Sequence, residues 1–222
     1  MTVPSERVVS QGRWERLAPL SGVVAVILFV VGSIVFEVVG DTPDDDATAQ
    51  QYLSYFRDED GSIWVGAWIF LLGAAFFVWF LGTLRAALYR AEGGIGRIAS
   101  IAYAGGVGAV LLFAAVIAAS ISGAIAAEDG ENLSPEAAQA LWWVGNGFFV
   151  TATFFLAAFY AASAVLFVRT RVLPVWFGVV TAILALASAI PFISWAVLLF
   201  ATPLWTSIVA IWLFVRPPVI VD

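Results

Sequence analysis

The chain has 222 residues, 62% of them hydrophobic and 12% charged, with 10 basic and 16 acidic side chains and a formal net charge of −6. Soluble domains run at about 45–50% apolar and about 25% charged, so this composition excludes a water-soluble fold and makes the bilayer the solvent. There is no Cys, no His and, with all ten basic residues arginine, no Lys; disulfides, thiolate nucleophiles, Cys- or His-held metal and haem, and lysine Schiff bases are thereby excluded.

A hydrocarbon core of about 30 Å takes roughly 20 apolar residues per helix. Uncharged runs at Ala18–Phe36, Ile63–Leu84, Ile98–Ala127 and Ala137–Val168 predict four spans. A fifth run, Val172–Val215, carries no charge over 44 residues. One straight helix of that length would measure about 66 Å, so the run must fold back. Pro191 disfavours helix at Ile190 and is the expected hinge; a break at Pro203 would leave the last crossing too short. The fold class is an all-α, six-transmembrane-helix bundle over 18–216, with tails at 1–17 and 217–222. A cleaved leader at the N-terminus is the rival reading of the first span. Its apolar stretch exceeds the h-region of a signal peptide, and no small-x-small site follows it.

Nine arginines (Arg7, Arg13, Arg16, Arg85, Arg90, Arg97, Arg169, Arg171 and Arg216) fall on one side of the predicted spans. The positive-inside rule makes that side cytoplasmic and places both termini inside. The opposite side collects eleven acids, from Asp41 to Glu136, against Arg57 alone. That acidity argues against nucleic acid as a partner and against an anionic-lipid patch on the outer face.

In the first outer loop Ala49, Tyr52, Leu53 and Phe56 stand at i, i+3, i+4 and i+7, which predicts a short amphipathic helix over about 46–58. Asp44, Asp45 and Asp46 can charge its start. The helix rests on the outer membrane surface or over the bundle mouth. Ser134-Pro135-Glu136 is a helix start, with a cap, a proline in the first turn and an acid at the positive end of the dipole.

In the third span Ala114, Ala118, Ser122 and Ala126 form a ridge of small residues, extended by Gly105 and Ala109. Small-xxx-small ridges let helix backbones approach closely in lipid. The third span is therefore expected at the bundle centre and most enclosed by protein, the other reading of the ridge being a homodimer face. A shared pattern, Gly22-Val23-Val24-Ala25 against Gly106-Val107-Gly108-Ala109, with Trp64-Val65-Gly66 against Trp143-Val144-Gly145, fits a three-hairpin repeat or a chance match of apolar segments.

Nine of the ten Trp fall at the membrane interfaces, as aromatic belts do, and only Trp205 sits near mid-membrane. Glu37 is the one acid within an apolar run, about nineteen residues from the start of the first span and so at the outer interface. Asn146 lies at a similar depth on the fourth span. A ligand pocket walled by the first, second and fourth spans, covered by the 46–58 helix, would have Glu37, Trp68, Trp143 and Asn146 around it. The alternative is that these groups pair across a solid bundle with Glu37 hydrated. Asp58-Glu59-Asp60-Gly61 lacks the alternating spacing of a calcium loop, and no catalytic, cofactor-binding or metal-binding constellation is expected.

The layout resembles uncharacterised bacterial six-helix integral membrane proteins whose domain has no known function. The features carrying the resemblance are the entry into the first span (Arg16 and Pro19, one residue short of Arg-x-x-x-Pro), the Trp-rich entry into the second, and Arg171-Val172-Leu173-Pro174-Val175-Trp176 at the fifth. It implies a fold and no activity. The expectation is a multi-pass inner-membrane protein of a prokaryote, not an enzyme. It would bind membrane lipid or an apolar small molecule, or serve as an accessory subunit to a partner membrane protein. A small transporter or channel with an outward-facing cavity is the alternative.

Overall fold

A computed structural model describes residues 13–39, 42–44, 46–128 and 133–216; the side chains of residues 13, 14 and 37–39 fall outside that description. The 217–222 tail and most of the 1–17 tail lie outside the described residues. All regular structure among the described residues is helical.

The chain enters through α1 (Arg13–Leu17) and a 3-10 turn at Ala18–Leu20, where Pro19 occupies a position that needs no N–H. α2 (Ser21–Ser33) follows and ends in a π-helical turn at Ile34–Val39. The outer-loop helix is α3 (Ala49–Asp58), beginning three residues later than the sequence pattern predicts. Gln51 Oε1 accepts from both the Thr48 N–H and the Thr48 hydroxyl at 2.8 Å, so Thr48, not the aspartates before it, sets the start.

The long helices are α4 (Asp60–Glu92), α5 (Arg97–Glu128) and α6 (Pro135–Thr170). α6 starts where the sequence places it, with the Ser134 hydroxyl accepting from Ala137 N at 3.2 Å and Pro135 in the first turn. Glu92 closes α4 onto α5: its two carboxylate oxygens accept from the N–H groups of Ile98 and Ala99 at 2.9 and 2.8 Å. Between them Gly93, Gly94 and Gly96 all hold positive φ, which makes this tight turn glycine-dependent.

After α6 come α7 (Val175–Ser188), α8 (Pro191–Ala196), a π-helical turn at Val197–Ala201 and α9 (Thr202–Val215). The chain reverses at Ile190, which is extended (φ −101°, ψ 111°) immediately before Pro191, as the pyrrolidine ring demands. Pro203 does not break the returning helix. The π-turn just before it absorbs the missing N–H, and the Thr202 hydroxyl donates to Val197 O at 2.9 Å.

Five helices are long and apolar enough to cross a membrane: Glu15–Phe36, Asp60–Glu92, Arg97–Glu128, Pro135–Thr170 and Pro191–Val215. The fifth segment of the predicted six is the exception. α7 has 14 residues, about 21 Å at 1.5 Å per residue, so the 44-residue uncharged run divides unequally around its hinge.

A correction to the sequence reading concerns α5. Ala118 and Ser122 are exposed, so the ridge through Ala114 and Ala126 does not form a buried seam. Gly105, Gly106 and Ala109 are buried, and near the acidic end the buried small residues are Ser120, Gly123, Ala124 and Ala127. α6, not α5, is the most enclosed: half of its apolar window is buried against a third for α5. The two helices touch backbone to backbone at Gly105, where a Cβ would stand 2.7 Å from Phe159 N and 2.9 Å from Phe155 O.

The main core lies between α4, α5, α6, α7 and α9. Trp205 is its centre, 2% exposed, with ring centroids of Phe159, Tyr160, Phe167 and Phe177 within 5.1–6.2 Å. Its Nε1 donates to the Thr181 hydroxyl at 2.9 Å, and that hydroxyl donates to Phe177 O at 2.8 Å. The Tyr160 hydroxyl reaches Thr202 Oγ1 at 2.8 Å. Every polar atom in this cluster is thus matched, as burial requires. The mid-membrane Trp is a packing residue.

Candidate functional site

The sequence directs attention to the acidic end of the bundle. There α3 buries Tyr52, Leu53, Tyr55 and Phe56 against Ile63, Ala124, Ala127 and Ala138. The predicted stripe is therefore the buried face, and the helix sits over the bundle mouth. Phe56 lies over Gly123, where a Cβ would meet its ring at 2.7 Å. Tyr52 and Tyr55 pack on Trp142 with ring centroids 5.4 and 5.8 Å away, and the Tyr52 hydroxyl donates to Asp44 O at 3.2 Å.

Trp142 in turn lines a cavity of about 420 Å³. Its walls come from the end of α2 and its π-turn, α4, α5 and α6, with Phe36, Phe70, Phe113 and Phe149 supplying aromatic surface and Ser33, Thr42, Ser120 and Asn146 the polar groups. Thr42 donates to Phe36 O at 3.2 Å, tying the chain after the π-turn back onto it. The Gly32–Gly66 crossing brings α2 and α4 together beside it: a Cβ on Gly32 would stand 3.2 Å from Phe70 N and 3.3 Å from Gly66 O.

The four residues singled out from the sequence fare differently. Asn146 lines the cavity. Trp68 and Trp143 do not; they are 70% and 49% exposed on the outside of the bundle, where an aromatic belt belongs. Glu37 continues the π-turn after Phe36, and its side chain lies outside the described residues. The neighbour of Trp143 is the residue that turns inward. One position along a helix is a rotation of about 100°, enough to exchange a lipid-facing ring for a cavity-facing one. α5 is an additional wall that the sequence reading did not include.

A second cavity, about 340 Å³, adjoins the first at Ser33, Phe70, Phe113 and Leu199, which line both. It runs between the first span and the last, past Val26, Phe29, Leu156, Pro203 and Thr206. Its rim residues Val30, Ile34 and Phe200 are exposed, so the space opens sideways from the bundle. Each of its flanking walls includes part of a π-turn: Ile34 belongs to one, and Leu198, Leu199 and Phe200 belong to the other. Such turns widen a helix locally and concentrate at functional sites.

Among the described residues, none that lines either cavity is Arg, Asp or Glu. Trp142 and Thr206 line these cavities with other atoms; the Trp142 indole N–H and the Thr206 hydroxyl are themselves sealed from the space and have no hydrogen-bond partner. Buried indole N–H groups ordinarily find an acceptor. Chemically, the described lining offers an apolar, aromatic-walled space with the uncharged polar groups of Ser33, Thr42, Ser120 and Asn146 in the first cavity.

A further cavity, about 410 Å³, lies at the arginine end between α1 and α4, with Glu15, Arg16, Trp79 and Arg90 on its rim. Glu15, Arg16 and Arg90 are all exposed, so this is an open groove. No protein-family model, no curated protein and no solved structure matches the chain.

Proposed function

We propose that this chain is a multi-pass inner-membrane protein of a prokaryote that binds a membrane lipid or apolar small molecule, without catalysis, in the adjoining cavities at its acidic, outward-facing end. In this reading α7 completes a sixth, short crossing and both termini are cytoplasmic, because the arginines cluster at the other end. The observation that carries the proposal is that the two cavities adjoin, with Ser33, Phe70, Phe113 and Leu199 as wall residues of both. A largely apolar space with a few polar groups, open to lipid on one side, has the size and lining of a small-molecule site. The absence of His, Cys and Lys from the whole chain supports a binding role over an enzymatic one.

A small transporter is the second reading. It is favoured by the π-turns that interrupt the first and last spans beside the cavity, since transporters place discontinuous helices around their substrates. Ser33→Trp tests binding. The substitution fills the junction of the cavities, so native mass spectrometry of the purified protein should show a retained lipid or metabolite in the wild type and its loss in the folded variant. A wild-type spectrum free of bound mass, or one that Ser33→Trp leaves unchanged, would overturn the proposal.

A further inference from the structure

The groove at the arginine end joins a basic surface to an apolar one. Arg16, at the entry of the first span, and Arg90, near the end of α4, line it from opposite walls, and both are exposed. Neither has a hydrogen bond or ion pair among the described residues, although Glu15 lines the same groove. Glu92, the other acid at this end of α4, is committed to the N–H groups of Ile98 and Ala99. The chain outside 15–215 adds Arg7, Arg13 and Arg216 against Glu6 and Asp222, so the charge here is basic however that chain runs. Away from the arginines the groove follows one face of α4. Trp79, Gly82, Thr83, Ala86 and Arg90 recur at helical spacing along it. A Cβ on Gly82 would meet nothing within 4 Å, so the furrow is open there. The same face continues through Phe76, Ala75 and Leu72, all exposed. From Arg90 to Leu72 the helix runs about 27 Å, and one leaflet with its headgroups measures about 20–23 Å. A basic head position and an apolar track thus lie end to end, at the length of one lipid.

We propose that this groove is a site for an anionic phospholipid: Arg16 and Arg90 take its phosphate from either side, and its acyl chains lie in the furrow over Gly82 and along Trp79, Phe76 and Leu72. Arginine suits the role because its planar fork bonds two phosphate oxygens at once and stays charged. A soluble phosphate would gain the arginines and leave the furrow in contact with water. A zwitterionic lipid would bring its own cation towards the same guanidiniums, a repulsion that sets the preference between heads. The site is separate from the cavities at the acidic end and does not rest on what occupies them.

The test uses the purified full chain in neutral detergent and two photoreactive lipids with the same acyl chains, each carrying a diazirine at mid-chain. One is phosphatidylglycerol and the other phosphatidylcholine. Phosphatidylglycerol should label the segment 72–86, and phosphatidylcholine should label it far less. Arg90→Gln should lower phosphatidylglycerol labelling roughly fivefold, the scale of one basic residue at an anionic surface. Arg85→Gln removes the same charge from a position about 140° around the helix, where Arg85 lies over the Tyr103 ring, and should leave labelling at the wild-type level. Gly82→Leu fills the furrow without displacing protein and should also lower labelling. An excess of glycerol 3-phosphate should not compete. Equal labelling by the two lipids, or none in 72–86, would overturn the proposal. Equal losses in Arg85→Gln and Arg90→Gln would overturn it as well, since the summed charge of this face would then account for the attraction. Competition by glycerol 3-phosphate would replace the lipid with a soluble phosphate ligand. Arg85 and Arg90 are both exposed, so the paired comparison reads charge in a folded protein.

Discussion

At the scale of single residues, the closest helix contact in this bundle depends on one missing side chain. Gly105 lets α5 lie directly on the backbone of α6, with Phe159 N and Phe155 O where a Cβ would need to be. Backbone cannot rotate away as a side chain can. Gly105→Ala should therefore lower stability by about 1–3 kcal/mol, the range for overpacking a tight interior, read as a lowered midpoint of thermal unfolding in detergent. Ala118→Leu, on the same helix, should leave that midpoint unchanged, because Ala118 is exposed. A shift from Ala118→Leu would mean that this face meets a protein surface, such as a second copy of the chain. The sequence marks both residues as small and cannot tell them apart. The same is true of Trp142 and Trp143, adjacent rings of which one lines the cavity and the other is 49% exposed.

At the scale of elements, α3 is the clearest case of local sequence specifying local structure. Its polar residues and its apolar stripe differ sharply in a segment that water reaches, so the pattern names the buried face. Thr48 with Gln51 caps it. A helix of ten residues is marginal by itself, so its order depends on docking. Phe56 is the deepest anchor, 1% exposed. Phe56→Ala should cost about 3–5 kcal/mol of that docking, and amide exchange across 49–58 should rise towards that of an unprotected segment while exchange in α4 and α6 stays slow. Retained protection would show that Tyr52 and Leu53 suffice to hold the helix. The hairpin of α7 with α8 and α9 is equally legible in one respect, its reversal before Pro191. Its unequal arms are not, since a run of uncharged residues carries no mark of where a helix leaves the membrane.

At the scale of the molecule, the arrangement makes a topological commitment. α7 and the returning Pro191–Val215 segment form an antiparallel hairpin, with the Trp212 indole donating to Val172 O at 3.1 Å where its two ends meet. The end of α9 is thereby on the same side as the start of α7, whether or not α7 reaches the far surface. Because the chain has no native Cys, single cysteines report orientation without background. In intact cells Ile95→Cys and Ser10→Cys should resist a membrane-impermeant thiol reagent, and Gln50→Cys should react. Reaction at Ile95 with protection at Gln50 would invert the orientation.

Composition, charge distribution and helix punctuation settled the class of this protein from the sequence alone: helical, membrane-type, with nine of the ten arginines gathered at one end, an amphipathic helix between the first two spans and a reversal at Pro191. Each of these depends on contrast between apolar and polar residues, or on the backbone chemistry of proline, serine and threonine, and such contrast is written residue by residue. Which face of each span looks inward was decided only by the tertiary structure. In water a helix declares its buried side by being apolar there and polar elsewhere. In a bilayer lipid and protein interior are equally apolar, so Ala118 and Gly105, or Trp143 and Trp142, differ in environment without differing in kind. Helix rotation, and with it the lining of the cavity, follows from the fit of neighbouring backbones at sites such as Gly32, Gly66 and Gly105. That fit is a property of pairs of helices and belongs to no single segment of the chain.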